Sequence, residues 1–211
     1  MSETSSLIQV TTGAGVVRGR ATRGQHVFLG VPYAAPPTGR RRVAAPEPVD
    51  AWDGVRDALK PGPSAPQRGS ASFAGLDMVA VAGATWTRGE DFLTLNVWAP
   101  AGANRRPVMV YVHGGGLVLG TKDAAVYDGG HFACDGVVTV GINYRLGVEG
   151  FLPIPGAATN IGLRDMIAAL TWVRNNITAF GGDPDNVTVF GESGGAMSVA
   201  CLIASPLRAG V

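Results

Sequence analysis

From Glu90 onward the hydrophobic positions follow two periods in turn. Leu93-Thr94-Leu95-Asn96-Val97-Trp98 largely alternates apolar and polar, the pattern of a half-buried strand. Val108 to Val112 and Val137 to Ile142 are unbroken apolar runs rich in β-branched residues, as in strands covered on both faces of a parallel sheet. Gly162 to Phe180 switches to helical spacing: Leu163, Ile167, Leu170, Val173, Ile177 and Phe180 recur every three or four residues and define one face. Asn160 is placed to cap that helix, and Gly181-Gly182 with Pro184 to end it. A short strand over Asn186 to Phe190 and a helix over Ala196 to Ala204, broken by Pro206, complete the pattern. Strand, helix, strand, helix predicts an α/β sheet with right-handed crossovers.

The first third carries a different signal. Leu7 to Val10 and Val16 to Arg18, split by Thr12-Gly13-Ala14-Gly15, predict a hairpin, and His26 to Tyr33 a further extended stretch. From Ala45 to about Gly89 the chain is rich in Pro, Gly, Ala and Ser with weak periodicity, too long for a connector and better read as a covering, lid-like loop.

Composition narrows the function. The 211 residues carry Lys+Arg 17 against Asp+Glu 16, a formal net charge of +1, which removes the electrostatic case for binding nucleic acid or a membrane surface. No apolar run approaches the roughly 20 residues of a membrane helix. The expectation is a soluble, cytoplasmic protein: Met1 to Ser6 has neither a basic nor an apolar leader region. Cys134 and Cys201 offer no disulfide framework or metal-ligand spacing and read as buried, reduced thiols, and no metal or cofactor is expected. The sequons at Asn176 and Asn186 are taken as chance.

Chemistry enters at Gly191-Glu192-Ser193-Gly194-Gly195, which fits the Gly-x-Ser-x-Gly nucleophile elbow and sits between a predicted strand and a predicted helix. Such a turn strains the serine backbone and leaves no room for neighbouring Cβ atoms, while the helix start offers free N–H groups to developing negative charge. Upstream, His113-Gly114-Gly115-Gly116 comes directly after the strand at Val108 to Val112; consecutive glycines let backbone N–H groups approach a ligand oxygen, as an oxyanion hole requires.

These motifs belong to a wider resemblance. Phe28-Leu29-Gly30-Val31-Pro32-Tyr33-Ala34 with Pro36-Pro37 and Gly39, Trp52-Asp53-Gly54-Val55-Arg56-Asp57, and Glu90-Asp91 running into Leu95-Asn96-Val97 are part of it. So are Asn143-Tyr144-Arg145-Leu146-Gly147, Asn160-Ile161-Gly162-Leu163-Arg164-Asp165, and Phe180-Gly181-Gly182-Asp183-Pro184 through Ser193. With His113 to Gly116 they resemble the type-B carboxylesterase/cholinesterase-like group of α/β-hydrolases across nearly the whole chain.

The resemblance implies an α/β-hydrolase fold, with a mostly parallel sheet and a small N-terminal antiparallel hairpin. It implies Ser193 as nucleophile toward a small-molecule ester, with an oxyanion hole from the N–H groups of Gly115, Gly116 and Gly194. Gly194 stands where the group usually has Ala, Phe92 where secreted members carry a disulfide cysteine, and Met166 where a polar residue is usual. The fold orders its triad Ser, Asp/Glu, His, yet no Asp, Glu or His follows Ser193, and His26, His113 and His131 all precede it. Residues 1–211 therefore read as the N-terminal part of one such domain, with acid and base in a missing C-terminal half. By itself the chain is expected to be nearly inactive and, with the strand at Asn186 to Phe190 open on one side, poorly soluble.

Other roles read as structural: Glu192 as support beside the turn, Arg145 and Asp165 as a buried ion pair, Trp86 as ordinary packing, and His113 as a residue that orders its loop. A trypsin-like protease, suggested by Gly-Glu-Ser-Gly-Gly, is rejected because it requires an all-β fold and a different histidine context. A non-enzymatic truncated product or adhesion domain is the remaining alternative.

Overall fold

The structure, a computed structural model, describes residues 6–22, 24–68, 72–73, 75–77 and 86–208. The leader reading rests largely on residues 1–5, which lie outside this set, as does much of the middle of the lid-like segment.

Antiparallel pairing of β1 (Ser6–Thr11) and β2 (Val16–Ala21) forms the expected hairpin. Its turn closes where the Gly15 backbone lies against the Trp52 indole, 2.6 Å from where a Cβ would stand. Next come β3 (Gln25–Pro32), β4 (Val55–Asp57), a separate two-stranded β5 (Ser72–Phe73) and β6 (Leu76–Asp77), and β7 (Thr94–Pro100). Then come β8 (Arg106–Val112), β9 (Val138–Ile142) and β10 (Gly182–Gly191). The main sheet runs β1-β2-β3-β7-β9-β8-β10, with β4 alongside β2. It is mixed: β9, β8 and β10 are parallel, while antiparallel pairing continues beyond the hairpin through β3 and β7 to β9. The helices are α1 (Gly130–Cys134), α2 (Gly147–Phe151), α3 (Ile161–Asn176) and α4 (Gly194–Ala204).

Burial departs from the sequence expectation in three places. All seven residues of β7 are buried, so its polar alternates Thr94 and Asn96 lie inside and the strand is not half-exposed. In β8 only Val108, Val110 and Val112 are buried. Tyr111, on the other face, is only partly covered and packs on Tyr127 and Phe190, at ring separations of 4.6 and 5.1 Å. Both-face burial holds for β9. The buried face of α3 is centred on Asp165, Met166, Ala169, Trp172 and Val173, leaving Leu163 and Ile167 half-buried. Leu170, Val173, Ile177 and Phe180 are buried as the stripe predicts, and Leu163 and Ile167 pack partly covered against the core. The stripe therefore marks the right side of the helix but misses Asp165, Met166 and Ala169, which share the buried face.

Asn160 does not cap α3 through its side chain: it adopts a left-handed conformation (φ 52°, ψ 46°), and its carbonyl accepts the Arg164 N–H at 3.1 Å. The helix end is as expected. It tightens into a 3-10 turn over Ile177–Phe180, and Gly181 takes φ +83°. Phe180 reaches back to Phe28, edge to face at 4.9 Å, joining this end to the antiparallel strands. Met166, unexplained in the sequence, is fully buried in the core.

Cys134 and Cys201 are both free and exposed, not buried as expected, because each falls on the outer side of a helix. Among the described residues no helix is long and apolar enough to cross a membrane, and no strand pairs with the outer edge of β10.

Candidate active site

β8 and β10, adjacent and parallel, end side by side, with Val112 opposite Gly191. The loops that leave these two strand ends therefore meet. After β10 the chain turns through Ser193, whose φ of +51° and ψ of −118° are strained for a residue with a side chain, and enters α4 at Gly194. Glycines make this approach possible. A Cβ at Gly191 would lie 2.8 Å from the Val112 carbonyl oxygen, and one at Gly195 would collide with that atom and sit 2.8 Å from the His113 oxygen.

After β8 the chain runs through His113 to Gly116. A Cβ on Gly194 would stand 3.2 Å from the amide nitrogens of Gly116 and Leu117, so the two loops are in contact at that point. No hydrogen bond among the described residues engages the N–H groups of Gly115, Gly116 or Gly194. The Gly195 N–H is already committed to the Glu192 carbonyl at 2.8 Å. Ser193 itself is exposed. The structure thus brings the four sequence-predicted residues to one place.

His113 is buried and stacked on Tyr144 at 4.5 Å, and its Nδ1–H donates to the Gly114 carbonyl at 2.9 Å. Tyr144 Oη donates to the His113 carbonyl at 2.7 Å. Burial pulls the imidazole down to about 4, partly offset by the Gly114 hydrogen bond, so it is neutral at pH 7. These contacts suit a residue that orders the loop. Glu192 closes over Gly114: its carboxylate fills the space where a Gly114 side chain would be.

Three residues that sequence reasoning missed support this loop. Leu117 takes φ +65°, and its carbonyl accepts the Gly147 N–H at 2.7 Å. Gln67 grips Gly120 through both backbone groups. Asn143 accepts the Lys122 N–H and donates to the Pro63 carbonyl, tying the segment after the loop to the covering segment. Asn143 lay within a quoted motif, but Gln67 sits in an aperiodic stretch, and its role depends on a partner 53 positions away.

Arg145 and Asp165 form the expected buried ion pair, and Trp86 lies half-buried under the Arg88 guanidinium at 4.9 Å. Among the described residues no cluster of three or more His, Cys, Asp or Glu could hold a metal ion.

A sequence model of the Carboxylesterase family matches residues 6–211. The chain belongs to the carboxylesterase family. It is 46% identical over 209 residues to the para-nitrobenzyl esterase of Bacillus subtilis (strain 168), covering 96% of this chain and 41% of that protein. It is 45% identical over 198 residues to the phenmedipham hydrolase of Pseudarthrobacter oxydans, covering 93% of this chain and 39% of that one. Among solved structures, a PNB esterase superimposes with a TM-score of 0.87 at 45% identity, over 96% of this chain and 42% of that one. A Geobacillus stearothermophilus carboxylesterase gives 0.84 at 44%, with coverage of 96% and 42%. The fold of this family member is therefore that of an α/β-hydrolase, and the chain spans about two fifths of the length of these relatives. The helices and mixed sheet exclude the all-β protease alternative.

Proposed function

We propose that this chain supplies the nucleophile and oxyanion hole of a serine carboxylesterase acting on small-molecule esters. Ser193 Oγ attacks the ester carbonyl carbon while its proton passes to a histidine, and the carbonyl oxygen takes the negative charge. The N–H groups of Gly115, Gly116 and Gly194 receive that charge. The C–O bond to the alcohol then breaks, the alcohol leaves with the proton, and water hydrolyses the acyl-serine to release the acid. The histidine and its acidic partner come from outside residues 1–211, since His113 is buried in its own loop and no Asp, Glu or His follows Ser193. Residues 1–211 act as part of a single α/β-hydrolase domain.

The observation that carries this reading is a serine held at φ +51° between strand and helix, beside a glycine loop whose Gly115 and Gly116 amides have no partner among the described residues. A cytoplasmic location fits Phe92 at the cysteine position of secreted members and two exposed, unpaired cysteines. The test is hydrolysis of short-chain p-nitrophenyl esters by the protein that carries this chain. The expected result is turnover that falls by at least about 10⁴-fold in Ser193→Ala; turnover unchanged by that substitution refutes the proposal.

A further inference from the structure

Four of the eight residues from His113 to Gly120 are glycine, at positions 114, 115, 116 and 120, and those four have no side chain to stiffen the backbone. Glycine is the residue with the most backbone freedom, so a loop built this way keeps a fixed geometry only if something outside it holds the backbone. Internal bonds contribute, from the N–H groups of Val118 and Leu119 to the Gly115 carbonyl, both at 3.1 Å. The far limb of the loop is held by a side chain.

We infer that Gln67 is a positioning residue for the reaction: by clamping Gly120 it fixes the glycine loop and, through it, the Gly115 and Gly116 amides. This rests on the oxyanion role proposed for those amides. Gln67 Oε1 accepts the Gly120 N–H at 2.8 Å, and Nε2 donates to the Gly120 carbonyl at 2.9 Å. Nε2 also donates to the Ala65 carbonyl at 3.1 Å, which fixes the carboxamide itself. Gly120 is in turn packed onto the near limb: a Cβ there would stand 2.5 Å from both the Gly114 carbonyl oxygen and His113 Nδ1. A displacement of Gly120 therefore reaches Gly114, the residue before the first donor.

The backbone just before the clamp is itself anchored at Pro63 and Ser64. Asn143 Nδ2 donates to the Pro63 carbonyl at 3.2 Å. Ser64 pairs twice with Thr87, its N–H donating to the Thr87 carbonyl and its Oγ accepting the Thr87 N–H, both at 3.0 Å. Gln67 is buried, so an apolar replacement of equal size can keep the packing while deleting all three hydrogen bonds.

The experiment compares the protein carrying this chain with its Gln67→Met form. Met retains the volume, so a space-filling role survives it and a positioning role does not. Expected are a fall in kcat of about tenfold or more with KM within about twofold, and a parallel loss of affinity for a trifluoromethyl ketone, whose tetrahedral adduct carries the oxyanion. Parental kcat and ketone affinity in Gln67→Met, whatever its thermal midpoint, would overturn the proposal. Hydrogen exchange on the parent provides a test that needs no variant: the clamp requires a protected Gly120 amide, and an unprotected one overturns it. If the parent neither hydrolyses esters nor accepts a fluorophosphonate on Ser193, the oxyanion reading falls and this inference with it. If it does both and Gln67→Met matches it, only the role of Gln67 falls.

Discussion

Arg145 and Asp165 meet at 2.5 Å with neither side chain reaching solvent. The pair joins the segment after β9 to the buried face of α3. Arg145 donates to Asp165 through Nε, Nη2 and its own backbone N–H, and its Nη1 reaches the carbonyls of Arg41, Arg42 and Ala44. One guanidinium thus fastens three parts of the chain. Asp165→Ala strands that cation in the core, with an expected cost of about 3–5 kcal/mol. Urea unfolding of the protein carrying this chain checks it, and a loss under about 1 kcal/mol would show the cation rehydrating easily.

Gly195 has no space for a side chain, because the obstacles are the Val112 and His113 carbonyls rather than movable side chains. Gly195→Ala is expected to push α4 away from the end of β8 and to cost about 1–3 kcal/mol. Esterase activity should fall with it, because Ser193 and Gly194 move together. Gly24→Ala is the control: nothing lies within 4 Å of its added methyl, and its thermal midpoint should stay at or above the parent's.

Burial holds His113 neutral down to about pH 4, against 6.5 for an unconstrained imidazole. Between those values the unfolded chain binds a proton that the folded chain refuses. Its contribution to stability is therefore complete above pH 6.5 and is lost as pH falls toward 4, by up to about 1.4 kcal/mol per pH unit. The His113 ring resonances followed by NMR should stay those of a neutral imidazole at about pH 5. A midpoint near 6.5 would contradict the burial argument.

Much of this arrangement was legible in the sequence because it is local. The turn at Ser193 and the loop at Gly114 to Gly116 are written in consecutive glycines, and the strand before each is a compact apolar run. Resemblance then joined the two loops, which spacing alone could not do. What stayed hidden depends on distant partners. The pairing of Asp165 with Arg145 was expected, and the apolar stripe of α3 found Leu170, Val173, Ile177 and Phe180 in the core. Yet it did not show that the buried face extends to Asp165, because periodicity counts a buried carboxylate as polar. Gln67 carries no periodic signal, since its partner lies beyond β7 and β8. Asn160 resembled a side-chain cap, yet the chain enters α3 through a left-handed residue instead.

That Ser193 is the nucleophile is tested most directly by the intact mass of the protein carrying this chain, before and after a fluorophosphonate probe, with the adduct mapped by peptide sequencing. One adduct is expected, on Ser193, absent in Ser193→Ala and slowed in a Gly115→Ala form, where the added methyl collides with the Leu119 carbonyl. A folded protein that takes no adduct, or takes it on another residue, would contradict that assignment.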